Sequence, residues 1–371
     1  MKNAVGLARL WSQAMQWDRS LKGALSTPSK LTAKRLKPTR YDRETLFTAM
    51  AHQRPIVFKD FPAPYGPAIL SREAGARQQA LIDGLSAISS EERFSVRAGT
   101  SDSMLQLTMA ELMRRWRSSR AMIGITDLPV RHRETEQIFA ASFLDGFNLM
   151  PISSEDVREL EMLTAVISKQ GKVTDSHSDD ISVCNHCFIG SKLWLAWDIF
   201  EGLDAGLEDV ERTAVRGSAR FYMQTFLSLE SATWFLVTPG ETLFLPGSFT
   251  HRVITLEDYI GVGGFYIGLP NILHTLSRWL LKGSIWDEKC PPSTGGNRAE
   301  DICRTALAKL REVEASKDAA RRWGRPHMAA AIASLRAADD SFDRELVANH
   351  KSVSRLVGAS AGLDANEPVG A

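Results

Sequence analysis

The sequence predicts a mainly β domain with flanking helices, an α+β protein, and three observations indicate this class. Short strand-like runs separated by glycine or proline turns fill residues 160–268. Few helical patterns lie between these runs, which favours an antiparallel sandwich or barrel. Outside this region the apolar residues recur at helical spacing, as in the alanine-rich residues 300–315 and 319–337.

Residues 1–43 are predicted to be an N-terminal appendage to this domain. Apolar residues at the spacing of an amphipathic helix are Leu7, Leu10, Trp11, Ala14 and Met15. The basic residues that follow are Lys30, Lys34, Arg35, Lys37, Arg40 and Arg43. We interpret the basic stretch as a solvated linker, and the alternative is an anchor for an acidic partner.

The main domain is predicted over residues 44–270. Its first elements are a helix over residues 44–52 and a strand over residues 54–61. Thr108 and Glu111 have the spacing of a capping box, which predicts the start of a further helix. Strands are then predicted over residues 162–168, 181–189, 192–197, 231–237, 242–245, 251–256 and 259–268. Turns at Gly171, Gly190 and Gly240 separate several of them.

Helical spacing returns after the strands. Residues 271–357 are predicted to be a C-terminal helical region, of which residues 272–281 are apolar on several sides and are expected to pack on the barrel. The last residues, 358–371, are small and polar, which predicts a disordered tail.

The composition is that of an ordinary globular protein and excludes several classes. A formal net charge of +1 in 371 residues gives no overall field to attract nucleic acid or an anionic membrane. No apolar run approaches the roughly 18 residues that a membrane-spanning helix requires. Four cysteines are too few for a disulfide scaffold of this size. We therefore expect a cytoplasmic, reducing setting, without a nucleic-acid or membrane partner.

Two histidines and an aspartate are the most informative residues of the main domain. His177 and Asp179 are two residues apart, so on a strand both side chains point to the same side. With His251 they form the two-histidine, one-carboxylate ligand set that leaves iron positions open for oxygen chemistry. Asp180 is the competing carboxylate, but strand parity favours Asp179. For Asp180 a substrate contact and a solvated position remain equally open.

Lys192 is predicted to point into the same interior. After the turn at Gly190, strand alternation makes Lys192, Trp194 and Ala196 the inward set. A buried ammonium is costly unless an anion pairs with it, and a dicarboxylate cosubstrate would supply one. The alternative is a solvated lysine at the edge of the sheet.

These residues together resemble a known family. The spacing of Thr174, His177, Asp179, Gly190, Lys192, Pro246 and His251 is similar to that of the JmjC-domain (cupin-type) Fe(II)/2-oxoglutarate-dependent oxygenases. The spacing is closest to that of the asparaginyl hydroxylases that act on the hypoxia-inducible factor. The resemblance implies a double-stranded β-helix (jelly-roll or cupin) core. It also implies iron on His177, Asp179 and His251, with Thr174 and Lys192 holding the far carboxylate of 2-oxoglutarate.

The chain departs from this family's pattern at one cofactor position. The group often has an asparagine six residues after the first histidine, where this chain has Val183. Asn185 shares the inward parity of that strand, and we predict that it substitutes as a cofactor-binding residue. The sequence Gly263-Gly264-Phe265-Tyr266 also replaces a bulkier polar pattern seen in some members.

The resemblance implies hydroxylation of a C–H bond, with O2 consumed and succinate and CO2 released. A peptidyl side chain, an amino acid and a small metabolite all remain open as the substrate. The alternatives are a non-catalytic cupin-like binding protein and a metal cupin enzyme that needs no 2-oxoglutarate. The C-terminal helices fit a homodimer interface, as in the hydroxylase group, equally well as a cover over the site or a structural cap.

Three nearby residues offer competing interpretations. Cys184 and Cys187 have the spacing of a zinc ligand pair, but residues three apart on a strand face opposite sides, which favours structural burial. Arg252 has outward parity, and we expect an exposed arginine rather than a substrate contact.

Overall fold

The computed structural model describes residues 2–88, 91–98, 104–118, 122–129, 133–140, 163–179, 181–208, 220–247 and 249–268. The predicted C-terminal helical region and tail lie outside the described residues, and so does Asp180. Helices and antiparallel sheet are both present in the described part, as the α+β prediction requires.

The described residues form twelve strands and nine α-helices. The helices are α1 Lys2–Trp17, α2 Pro28–Ala33, α3 Arg43–Ala51, α4 Pro67–Leu70, α5 Arg77–Ala87, α6 Met109–Ser118, α7 Arg133–Glu136, α8 Ile199–Asp204 and α9 Met223–Ser228. The strands are β1 Ile56–Phe58, β2 Phe94–Ala98, β3 Met104–Leu107, β4 Ile123–Pro129, β5 Leu163–Ser168, β6 Val173–Ser178, β7 Ser182–Ile189, β8 Lys192–Asp198, β9 Thr233–Val237, β10 Thr242–Leu245, β11 Phe249–Thr255 and β12 Tyr259–Tyr266.

The strands form two antiparallel sheets. The large sheet has the order β1-β10-β7-β12-β5-β4-β2-β3, and the small sheet has the order β6-β11-β8-β9. The last eight strands pair in a nested way: β5 pairs with β12, β6 with β11, β7 with β10 and β8 with β9. This region of the chain therefore behaves as one long hairpin whose strands are shared between two sheets.

Three hydrophobic clusters cover the faces of the two sheets. Side chains from both sheets meet in an inter-sheet cluster, which includes Val166, Leu243, Val253 and Tyr259. The other face of the large sheet packs on α3, α5 and α6. The outer face of the small sheet is covered by residues 11–31 and by α9. Because both faces of the small sheet are covered, β8 and β11 are buried along almost their whole length, without a solvent-facing alternation.

Several local predictions are confirmed. Thr108 donates its backbone N–H to the Glu111 carboxylate at 2.9 Å, and the Glu111 N–H donates to the Thr108 hydroxyl at 3.3 Å. This reciprocal pair is the predicted capping box at the start of α6. Gly190 turns the chain at a φ of 78°, and a β-carbon there would overlap the carbonyl oxygen of Asp258. Only glycine fits this turn between β7 and β8 without strain.

The N-terminal segment packs tightly on the small sheet. Trp11 contacts Trp234 edge to face, with ring centroids 5.2 Å apart. The Trp234 indole donates to the carbonyl of Leu31 at 2.6 Å, and the Leu36 N–H donates to the carbonyl of Trp234 at 2.9 Å. The predicted amphipathic helix is confirmed as α1. Among the described residues, no helix has both the length and the hydrophobicity to cross a membrane.

Candidate metal centre

The structure brings His177, Asp179 and His251 together. One potential ligand atom from each lies within 4.8 Å of the other two. His251 Nε2 lies 3.6 Å from Asp179 Oδ2, and the two imidazole centroids are 4.1 Å apart. His177 and His251 are direct partners across β6 and β11, and Asp179 follows the last residue of β6. The prediction that these three side chains converge is confirmed.

Backbone carbonyls fix the orientation of both imidazoles. His177 Nδ1 lies 2.8 Å from the carbonyl oxygen of Asp175, and His251 Nδ1 lies 3.3 Å from that of Phe249. A carbonyl can only accept, so each ring carries its proton on Nδ1 in these contacts. In the neutral imidazole with this proton, Nε2 carries the lone pair, and this is the tautomer that a metal ligand needs.

A β-bulge in β6 controls which side chains face the site. Between His251 and Val253 the chain of β11 advances two residues, while β6 advances three, from His177 to Thr174. The additional residue reverses the alternation on β6. Thr174 and His177, three apart in sequence, therefore share the interior face with Val253.

Arg252 corrects one expectation from the sequence. Its outward parity is right, but the residue is only 9% exposed and is held in an ion-pair cluster. Arg252 Nε donates to Asp18 Oδ2 at 2.6 Å, and its Nη1 donates to the carboxylate of Asp175. Burial disfavours the charge of Arg252, but the two carboxylates outweigh burial and raise its pKa. The expectation of an exposed arginine fails because the N-terminal segment covers this face.

Lys192 lies inside the protein, as predicted. It faces Thr255 on β11, two residues from Val253, and is only 3% exposed. Its Nζ lies 4.4 Å from the ring centroid of Tyr259. Within the part of the chain that the structure describes, no carboxylate forms an ion pair with it. Burial lowers the pKa of Lys192 to about 7, which a neighbouring Cys187 only partly opposes.

Asn185 lies on the interior face of β7 but is not one of the converging ligands. It is the strand partner of Leu243 and is buried. Tyr259 donates its hydroxyl to Asn185 Oδ1 at 2.5 Å. Asn185 is therefore linked to Lys192 through the tyrosine whose ring the ammonium contacts. The sequence interpretation missed Tyr259, although a buried tyrosine at the start of a strand generally needs a polar partner.

An aromatic stack supports one imidazole. The rings of Trp194 and His251 are nearly parallel, at 28° with centroids 5.3 Å apart, and Phe235 stacks on the other end of this group, 6.2 Å from Trp194. The indole N–H of Trp194 is buried and has no hydrogen-bond partner among the described residues. The Trp194 ring thus packs against His251, and its indole N–H is available as a hydrogen-bond donor with respect to the described residues.

The competing zinc interpretation is excluded for the cysteine pair. Cys184 belongs to the core between the large sheet and its helices, whereas Cys187 belongs to the inter-sheet core. Both are buried free thiols. Burial raises the pKa of Cys187 to about 12, so the thiol stays protonated and is a poor metal ligand.

The chemical capacity of the site follows from its donors. Two neutral imidazoles and a carboxylate are suited to a divalent transition metal and occupy only part of its coordination sphere. The interior cation at Lys192 can hold an anion on the same face. Neither a family model nor a curated protein matches this sequence.

Proposed function

We propose that this chain is an Fe(II)- and 2-oxoglutarate-dependent oxygenase with a JmjC-type, double-stranded β-helix core. The observation that carries the proposal is the shared face of the small sheet. His177 and His251 occupy one end of that face with Asp179 beside them, and Lys192 occupies the other end. A metal and an anion are thus expected in one interior.

The strand pairing supports the proposed core. The eight strands from β5 to β12 are divided equally between the two sheets, and every pair is nested inside the next. A long hairpin rolled into two facing antiparallel sheets is the arrangement of a jelly roll. The remaining strands β1 to β4 extend only the large sheet, so they leave the small sheet and its site unchanged.

The three ligands have separate roles in this proposal. His177 and His251 would hold iron through Nε2, because the Nδ1 atoms are engaged by backbone carbonyls. Asp179 would balance part of the metal charge. Bound iron with 2-oxoglutarate and O2 supplies the oxidising chemistry that hydroxylates a substrate C–H bond and releases succinate and CO2.

Lys192 and Thr174 would hold the far carboxylate of 2-oxoglutarate. Both lie on the interior face, on the two strands that flank β11. An anion that pairs with Lys192 restores the charged ammonium, which burial otherwise disfavours. Tyr259 and Asn185 would position this cation from the opposite sheet, one by ring contact and the other through the tyrosine hydroxyl.

The proposed setting is cytoplasmic, because a reducing compartment would keep thiols reduced and the iron ferrous. The substrate is expected to be a peptidyl side chain, an amino acid or a small metabolite. Screening such compounds for succinate release by the iron-loaded protein would identify the class.

The test is an anaerobic titration of the full chain, first with Fe(II) and then with 2-oxoglutarate. The proposal expects a visible metal-to-ligand charge-transfer band, which is absent in Asp179→Ala. Asp258→Ala is the matched control, because Asp258 is a partly exposed carboxylate that is bound to Lys169 and is not one of the three converging ligands. The control should keep the full band.

Two other outcomes separate the alternatives. Iron binding without the band would contradict the 2-oxoglutarate assignment and favour a metal cupin enzyme that needs no such cosubstrate. No binding of iron at all would contradict the metal assignment and favour a non-catalytic cupin-like binding protein.

A further inference from the structure

On the outer face of the small sheet, the side chain of Arg252 contacts the bulge in β6. Because two residues of β6 oppose one residue of β11 there, Asp175 and Ser176 both face Arg252. Arg252 Nη1 donates to the Asp175 carboxylate and lies 3.5 Å from the Ser176 hydroxyl. A single guanidinium therefore contacts both of the residues that make the bulge.

The second carboxylate of this cluster comes from the N-terminal segment. Asp18 lies directly after α1 and is only 5% exposed. Its Oδ1 accepts from the Ser20 N–H at 3.0 Å and from the Ser20 hydroxyl at 2.6 Å, while its Oδ2 accepts from Arg252 Nε. Asp18 is thus fixed on both sides, by the turn after α1 and by the small sheet.

The cluster reaches the metal ligands through two short connections. Arg252 follows His251 in the chain. The backbone carbonyl of Asp175 accepts from His177 Nδ1 at 2.8 Å, while the side chain of the same residue is held by Arg252. Without the bulge, Thr174 and His177 would face opposite sides of β6, because they are three residues apart. The outer-face cluster and the inner-face site therefore share one piece of backbone.

We propose that Asp18, Asp175 and Arg252 are positioning residues of the metal centre. They hold the bulge that turns Thr174 and His177 to the same face, and they fix the carbonyl that orients the His177 ring. The segment that supplies Asp18 is then a structural part of the site rather than an appendage. What the site holds rests on the proposed function, but the positioning itself does not depend on a metal.

The experiment compares Asp18→Asn and Arg252→Met in the full chain, first without metal. NMR of isotope-labelled histidine nitrogens reads the tautomer of His177 directly, with His177→Gln identifying the signal. The wild type is expected to show a proton on Nδ1 in a hydrogen bond. Arg252→Met is expected to lose that signature, and Asp18→Asn, which loosens Arg252 but leaves Asp175 as its partner, is expected to weaken it. Co(II) is then added as a spectroscopic probe, and both variants should bind it about 10- to 100-fold more weakly, with altered absorption.

Matched controls separate positioning from general loss of stability. Lys169→Met removes a cation that is 13% exposed in its side chain, and Asp258→Asn weakens the same ion pair from the other end. Both should lower the melting temperature while the His177 tautomer and the Co(II) spectrum stay as in the wild type. Asp18→Asn keeps Arg252 paired with Asp175, so it remains informative where Arg252→Met fails to fold.

An unchanged His177 tautomer in folded Asp18→Asn, with unchanged Co(II) affinity, would overturn the positioning role. A wild type that binds no Co(II) but shows the tautomer, which the variants weaken or lose, would contradict the proposed function and support the positioning role. The two failures are therefore distinguishable.

Discussion

Arg252 and Lys192 are two buried cations on opposite faces of the same four-stranded sheet, and they are treated differently. Arg252, on the outer face, has two carboxylate partners that raise its pKa against the effect of burial. Lys192, on the inner face, contacts the ring of Tyr259 and has a pKa lowered to about 7 by burial. Arg252 is thus a satisfied structural ion pair, whereas a buried lysine to which the described residues offer no carboxylate is a candidate anion-binding group.

The largest loss of stability is expected from replacing Arg252, the buried cation that has two carboxylate partners. Arg252→Met leaves the buried carboxylate of Asp18 and the partly buried carboxylate of Asp175 without their cation. We expect it to lower the free energy of unfolding by about 3–5 kcal/mol. Urea unfolding followed by circular dichroism measures this. Lys169→Met, which breaks a more exposed pair, should cost about 1 kcal/mol or less. Equal losses in the two variants would remove the distinction drawn for Arg252.

Replacing Lys192 is expected to change the free energy of unfolding in the opposite direction. Lys192→Met removes a buried ammonium and should raise the free energy of unfolding of the ligand-free protein at pH 7 by about 1–4 kcal/mol. The same variant should bind 2-oxoglutarate at least about 100-fold more weakly, because it lacks the anion's partner, a loss of about 2.7 kcal/mol. Unfolding and anaerobic titration measure the two effects. A destabilised Lys192→Met would mean that this lysine already has a stabilising partner.

The stability difference between Lys192→Met and the wild type should depend on pH. The folded pKa of Lys192 is about 7, below its ordinary value, so the unfolded chain binds more protons between about pH 7 and pH 10. The stability advantage of Lys192→Met should therefore be largest below pH 7 and shrink as the pH rises through this window. Cys187 and Tyr259 face the ammonium, and both have raised pKa values that keep them neutral up to about pH 9.

The affinity for 2-oxoglutarate should depend on the protonation state of Lys192. Affinity requires the charged ammonium, so the wild-type Kd should rise by up to about tenfold per pH unit above pH 7. Calorimetric titration between pH 6 and pH 9 measures this slope. A Kd that is independent of pH over that range would contradict the assignment of Lys192 as the anion's partner.

The smallest effect is expected at Trp194. Trp194→Phe keeps an aromatic ring against His251 and removes the buried indole N–H, for which the described residues supply no acceptor. Loss of packing volume and removal of an unsatisfied donor act in opposite directions, so we expect a change in unfolding free energy below about 1 kcal/mol. Thermal unfolding measures it. A much larger loss would show that this donor already makes a stabilising contact.

Strand periodicity predicted the shared face of His177 and Asp179, whereas the convergence with His251 was inferred from the ligand set and the family resemblance. His177 and Asp179 are close in sequence and share parity, and Lys192, Trp194 and Ala196 follow a turn whose glycine is visible in the sequence. Alternation and turn chemistry are local properties, which is why they can be inferred from a short window.

The outer face could not be predicted in the same way. The contact between Asp18 and Arg252 joins residues 234 positions apart, and no local pattern reports such a pairing. The bulge is an intermediate case. The odd spacing of Thr174 and His177, two residues that the family resemblance places at one site, requires a reversal of alternation between them. The spacing of these two residues therefore indicates a bulge, but only in combination with the family resemblance.

The nested pairing of β5 to β12 also bears on the order in which the chain folds. The innermost pair, β8 with β9, closes the shortest loop, and the outermost pair, β5 with β12, closes the longest. Loop closure costs more entropy as the loop lengthens, so inner pairs are expected to form before outer ones. His177 and His251 lie on the second pair from the outside. During synthesis, the two imidazoles therefore meet only after β11 has been made, and an incomplete chain presents no finished site to a metal ion.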